Sequence, residues 1–164
     1  MVAIRKLTLA DVNTAYEYSS DFENTYYMLS SPFRDIEETE GFIRKCIERY
    51  ACAEPDYLSF AVTYNGVHVG EVFAFLSDGE ADIGWVINKR YWRKGISTEA
   101  AKQLVKHLSE NLNIRHFVAY CDGRNIPSRR VMEKIGMTFA GVNGIRTYDK
   151  EVTPYEELKY ELQL

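Results

Sequence analysis

Hydrophobic positions along the chain change their period repeatedly, and each change predicts an element. Residues 2–7 alternate weakly, as a first strand would. Thr8 is placed to cap a helix, with Asp11 three residues on and Leu9, Val12 and Tyr16 on its inner face. Residues 21–33 are aromatic-rich (Phe22, Tyr26, Tyr27, Phe33) and break at Ser31-Pro32. A second helix is predicted from about Asp35 to Cys52, with Ile36, Ile43, Cys46, Ile47 and Tyr50 on one stripe, stopped by Glu54-Pro55-Asp56.

Residues 58–64 and 67–76 read as strands joined by Asn65-Gly66, the strongest short hairpin signal. A second hairpin through Ser77-Asp78-Gly79 leads into the stretch that organises the chain, residues 82–112. Ile83, Trp85, Val86 and Ile87 form a strand, residues 88–95 a basic turn with a glycine, and a helix starts at about Ser97. Ala101, Leu104, Val105, Leu108 and Leu112 recur along one face of that helix. Residues 114–121 predict another strand, and Pro127 suits the first turn of a short helix with Val131, Met132 and Ile135 inward and Gly136 at its end. Two strands, residues 138–148 and 155–162, close the chain. The order, βαα, three β, then α, β, α, β, β, predicts a single α/β domain over residues 1–164: a mixed sheet with helices on its faces.

A basic turn between a strand and a helix is a physical recipe for holding phosphate. The first N–H groups of a helix have no internal partner and carry partial positive charge. Gly95 lets a ligand approach the backbone, and Lys89, Arg90, Arg93 and Lys94 crowd the same turn. Arg124, Arg129 and Arg130 make a second cluster. The net charge of the 164 residues is nevertheless -4. A small polyanion therefore fits both clusters better than a long nucleic acid does, and no nucleic-acid partner is expected. Three unpatterned cysteines (Cys46, Cys52, Cys121) imply free thiols and a cytoplasmic protein. The N-terminal residues lack a signal-peptide core, and no run of about 18 apolar residues predicts a membrane span. His68, His107 and His116 show no ligand spacing, so no metal is expected. Neither G-x-S-x-G nor a Walker A pattern occurs.

Two blocks carry a resemblance. Trp92-Arg93-Lys94-Gly95-Ile96-Ser97-Thr98-Glu99-Ala100 resembles the acetyl-CoA pyrophosphate loop of the GNAT N-acetyltransferases, pattern Q/R-x-x-G-x-G/A. Trp92 stands at the Q/R position and Ser97 at the G/A position, so only Gly95 meets the pattern strictly. Trp92 and Thr98-Glu99-Ala100 resemble the RimJ/RimL branch. Cys121-Asp122-Gly123-Arg124-Asn125-Ile126-Pro127-Ser128, running into Val131-Met132-Glu133-Lys134-Ile135-Gly136-Met137, is similar to the family's N-x-x-S…EK-x-G-F/M signature.

The resemblance implies a GNAT-like fold, a mostly antiparallel sheet with splayed central strands and about four helices. It implies acetyl transfer from acetyl-CoA, without a metal, to a primary amine on a small molecule or a protein N-terminus such as a ribosomal protein. The amine attacks directly in a ternary complex. Backbone N–H groups of Arg93, Lys94, Gly95, Ile96, Ser97 and Thr98 would hold the pyrophosphate. The pantetheine arm would lie along Trp85, Val86 and Ile87 like an added strand. A basic side chain of the turn would meet the 3′-phosphate, and Asn125 would contact the arm. An N–H near Val86 would serve the oxyanion. Relatives often place a Tyr where Met132 stands, which leaves Ser128 as the best proton donor to the thiolate, ahead of Tyr120 and Tyr148; Ser128 also reads as a contact to the coenzyme. Glu71 and Asp82 are alternative bases. Asp21, Glu23 and Glu71 would attract a cationic amine. Plainer readings stand beside these: Glu71 an outward strand residue, Ser128 a helix cap, Asp82 a backbone partner. The competing class is a non-catalytic acyl-CoA-binding or regulatory module, and the C-terminal strands offer an edge for a homodimer.

Overall fold

A computed structural model describes residues 1–164. Seven strands form one sheet: β1 (Val2–Lys6), β2 (Tyr57–Tyr64), β3 (Val67–Ser77), β4 (Glu80–Ile87), β5 (His116–Asp122), β6 (Thr138–Arg146) and β7 (Tyr155–Gln163). Their spatial order is β1-β2-β3-β4-β5-β7-β6. Four helices lie on its faces: α1 (Val12–Ser19), α2 (Ile36–Arg49), α3 (Ile96–Asn111) and α4 (Ile126–Lys134). Every pairing is antiparallel except β4 with β5. That parallel pair requires a crossover, and α3 supplies it. The fold class is the one expected.

Local chemistry explains the element ends. Asn65 and Gly66 both take positive φ, as do Asp78 and Gly79, so both hairpins turn with the hand that matches strand twist. Asp35 caps α2 by accepting the Glu38 N–H at 2.9 Å. Thr8 and Asp11 do form a reciprocal pair, but it closes a single 3-10 turn before α1 rather than the helix itself. The inner face of α1 consequently shifts. Leu9 is 44% exposed, while Val12, Ala15 and Tyr18 are buried.

The sheet separates two cores. Ile83 and Ile87 of β4 join Ile96, Leu104, Leu108, Phe117, Met132 and Tyr160 under α3 and α4. Val86 points the other way, among Leu7, Val12, Ala15, Tyr18, Ile43 and Cys46 under α1 and α2. Between β4 and β5 the pairing covers only Glu80–Asp82 against His116–Val118. Beyond that apex the two strands splay, and residues 83–87 have no partner on the β5 side. No helix is long and apolar enough to cross a membrane.

Candidate active site

The gap lies at the carboxyl ends of two adjacent parallel strands, each followed by a helix, where open α/β sheets present their ligand crevices. In an antiparallel ladder, residues alternately spend both main-chain groups on the neighbour and turn both outward. Asn88 donates its N–H to Val69 O at 2.8 Å, which fixes this parity. Val86, opposite Glu71, spends its groups on β3, and Trp85 and Ile87 turn theirs into the gap. The Val86 carbonyl lies so close to Gly70 that a Cβ there would overlap it. The expectation that an N–H near Val86 serves an oxyanion therefore moves to Trp85 and Ile87. The Ile87 carbonyl is already engaged: Trp92 Nε1 donates to it at 2.7 Å and Asn24 Nδ2 at 3.1 Å. Trp92, 45% exposed, thus locks the turn onto the end of β4.

At the head of α3, Gly95 is the N-cap, with φ +74° and no side chain to offer. The first helical bond runs from Glu99 N–H to Gly95 O at 3.1 Å. The N–H groups of Ile96, Ser97 and Thr98 therefore lack helical partners. The Ile96 side chain is buried in the core, so it anchors the cradle while its main chain faces out. The cations divide. Lys89 Nζ is paired with Asp21 at 2.7 Å and Glu23 at 2.8 Å, and Arg90 with Glu17 at 3.1 Å. Lys94 lies over the rings of Tyr91 and Tyr64, and Arg93 is exposed with φ +63°. Two of the four basic residues are thus held by acids, and Asp21 and Glu23 are spent on Lys89 rather than open to an amine.

On the other rim Asn125 caps α4, its Oδ1 accepting the Ser128 N–H at 3.2 Å. Ser128 is therefore not the cap; its half-buried hydroxyl stands one turn before Met132 on the same stripe. Met132 is buried among the core side chains, and its thioether has no proton to donate. Arg124 does not serve a phosphate: it forks onto Asp122 at 2.6 and 2.9 Å and donates to Thr153 O at 2.7 Å. Tyr148 also donates to Asp122, at 2.7 Å.

The two candidate bases have very different settings. Glu71 is 5% exposed, so the reading of it as an outward strand residue does not hold. It accepts from Tyr18 Oη at 2.5 Å and Ser59 Oγ at 2.7 Å, and burial pushes its pKa up. It is enclosed beneath α1, with both carboxylate oxygens bonded to protein hydroxyls. Asp82 sits at the apex of the gap, partly buried and without a hydrogen-bond partner. Burial first, then Glu157 and Glu80, raises its pKa to about 6, with Arg146 opposing. Those two glutamates are themselves paired, Glu157 with Arg146 at 2.6 Å and Glu80 with His116 at 2.9 Å. Arg146 Nε is buried with no protein partner. Over this face residues 25–31 meet residues 146–150: Asp149 donates its N–H to Leu29 O at 3.0 Å, Ser31 Oγ donates to Asp149 O, Arg146 donates to Tyr27 O, and Lys150 donates to Ser30 O and Thr25 O.

Sequence reasoning missed one polar array. His68 is buried, its Nδ1 2.6 Å from Thr14 Oγ1 and its Nε2 2.9 Å from Gly70 O. Asp11, locked to Arg5 at 2.7 Å, stands 3.6 Å from the same ring. Alternation from Glu71 would not have found it, because the bulge at Val62/Thr63 breaks the register between β2 and β3.

Residues 2–138 match the acetyltransferase (GNAT) domain. Over 138 residues, 84% of this chain and 79% of the relative, the sequence is 32% identical to the uncharacterized N-acetyltransferase YnaD of Bacillus subtilis (strain 168). An acetyltransferase (GNAT family) from Bacillus anthracis is 28% identical and superposes with a TM-score of 0.84, covering 99% of this chain and 94% of that one. RimJ of Mycobacterium smegmatis, solved in complex with CoA-disulfide, is 15% identical and shares the fold, with a TM-score of 0.86 over 99% of this chain and 81% of its own. The chain belongs to the GNAT family of acetyltransferases.

Proposed function

We propose that this protein transfers an acetyl group from acetyl-CoA to a primary amine, on a small molecule or a protein N-terminus, in a ternary complex. The observation that carries this reading is the gap between β4 and β5, opening beside a helix N-terminus whose N–H groups are unspent. The pyrophosphate sits on the N–H groups of Ile96, Ser97 and Thr98, with Arg93 and Lys94 as the cations for the 3′-phosphate. The pantetheine arm adds to β4 through the main chain of Trp85 and the Ile87 N–H, with Asn125 and Ser128 across from it. Trp85 N–H, nearer the apex, stabilises the oxyanion.

Asp82 accepts the amine proton, either directly or through one water. Its unpartnered carboxyl at the apex supports this role, whereas Glu71 is enclosed. As the tetrahedral intermediate collapses, the C–S bond breaks and Ser128 donates a proton to the departing thiolate. Trp92 and the Thr98-Glu99-Ala100 run, with the RimJ likeness in fold, support the RimJ/RimL branch. Free thiols at Cys46, Cys52 and Cys121 suit a cytoplasmic setting. The edge strand β6, where Phe139, Val142 and Ile145 are each more than half exposed, supports a homodimer built along that edge.

Calorimetric titration with acetyl-CoA, CoA and 3′-dephospho-CoA tests the coenzyme site, and release of free thiol with an amine panel tests transfer. Saturable binding that weakens without the 3′-phosphate, with thiol release, is expected. Binding without turnover would favour the non-catalytic module, a reading that the core position of Met132 keeps in view. Absence of binding by the folded protein would refute both.

A further inference from the structure

The face of the sheet that carries Asp82 also carries rings that the chemistry above does not use. Asp82 stands directly opposite Phe75 across the β3–β4 ladder, and Gly84 opposite Phe73. Opposed residues share a face, with Cβ atoms roughly 5 Å apart. Phe73 lies flat against Gly84, where any Cβ would collide with its ring. Tyr57 completes the group: its ring centroid is 4.8 Å from that of Phe75 and 6.1 Å from that of Phe73. Phe75 is 55% exposed although it belongs to this cluster. A large apolar ring left uncovered beside an unpartnered carboxylate is the arrangement that needs an explanation.

The charges nearby narrow what could cover it. A polyamine would call for several uncommitted carboxylates spaced along its length. Here Glu157, Asp122, Asp21 and Glu23 are paired with Arg or Lys, Glu80 is bonded to His116 at 2.9 Å, and Asp82 at the apex has no such partner. One amine and one flat apolar group therefore match what the face offers.

We infer that Tyr57, Phe73 and Phe75 form the acceptor's side-chain subsite, and that the preferred acceptor is a primary amine whose short carbon chain bears an aromatic ring. The amine reaches Asp82 while the ring packs on Phe75, edge-to-face or offset as aromatic pairs prefer. Gly84 has no side chain, so the Phe73 ring fills that space and forms the floor of the site. The amine nitrogen forms the new bond to the acetyl carbon, its proton passes to Asp82, and the sulfur of CoA leaves. This inference rests on the acetyltransferase reading and adds the substrate class to it.

The test is thiol release with 2-phenylethylamine, a short peptide beginning with Phe, propylamine and spermidine, for the natural protein and for Phe75→Ala. The variant removes an exposed ring, so folding should survive, and unchanged thermal unfolding would verify that. The expected result is kcat/KM at least tenfold higher for an aryl-bearing amine than for propylamine, carried by KM, with that ratio collapsing several-fold in Phe75→Ala. The free amine and the peptide separate a small-molecule acceptor from a protein N-terminus. Spermidine ranking first, or a ratio that Phe75→Ala leaves intact, would overturn the subsite and leave the transferase reading standing. Acetyl-CoA binding with no thiol release for any amine would overturn both.

Discussion

Asp82, proposed above as the base, is costly to the fold that holds it. Its pKa stands at about 6 in the folded protein against an ordinary 3.8, so the folded state binds this proton more tightly than the unfolded state does. Stability from this site is therefore intact below the unfolded value and is lost as pH rises through about 6. Solvent reaching the partly buried carboxyl screens part of that penalty. Asp82→Asn should accordingly unfold at higher denaturant at pH 7, by about 1 kcal/mol, with the gain vanishing near pH 3. Activity should move the opposite way. The natural protein's kcat should rise with pH through about 6, and the variant should lose that limb and roughly 100-fold in turnover. Retained turnover with an unaltered pH profile would remove Asp82 from the chemistry.

Glu71 makes the reverse case. Replacing it with Ala strands two buried donors, the hydroxyls of Tyr18 and Ser59, at about 1–3 kcal/mol for each lost partner. Chemical denaturation should reveal a loss of at least about 2 kcal/mol, while acetyl-CoA affinity measured on the folded fraction stays level. An affinity loss without a stability loss would contradict its role as a buried structural acid.

At the scale of elements, the head of α3 is the clearest place to perturb binding. A Cβ on Gly95 meets no atom within 4 Å, yet φ is +74°. The cost of Gly95→Ala is thus conformational, about 1–2 kcal/mol of stability. Gly95→Trp should add at least a tenfold weakening of acetyl-CoA binding, because the indole stands where the proposed pyrophosphate seat lies. Trp92→Phe keeps the ring but removes the N–H that holds the Ile87 carbonyl. The turn should loosen and the dissociation constant for acetyl-CoA should rise several-fold in calorimetry. All of these elements were legible in the sequence, because hairpin dipeptides, helical stripes and the glycine-bearing turn are local signals. The splay itself was visible only through the family resemblance. What stayed hidden depends on pairing across the sheet: the parity that turns Trp85 rather than Val86 into the gap, the burial of Glu71 and the partners of Lys89. The aromatic stretch around Phe22 and Tyr26 carries no local signal of its setting, and Phe22 is nearly half exposed. Composition cannot tell a ring that fills a core from one that lines a face.

Across the whole molecule, the two rims of the catalytic face are built differently. The coenzyme side rests on the continuous core beneath α3 and on ladder-bonded β3 and β4. The proposed acceptor side is roofed by two loops bridged through main-chain carbonyls, and Ser31 and Asp149 in that bridge are 118 positions apart in sequence. Contacts so distant along the chain close late and, where few apolar atoms support them, reopen at low cost. Amide exchange at Asp149 and across residues 25–31 should therefore be lost in a local opening, well before exchange at Val86 or Val72. Such an opening would let acetylated product depart and a fresh acceptor enter while CoA or acetyl-CoA stays in its strand-lined seat. The roof, rather than the coenzyme gap, would then set the order of traffic through the enzyme.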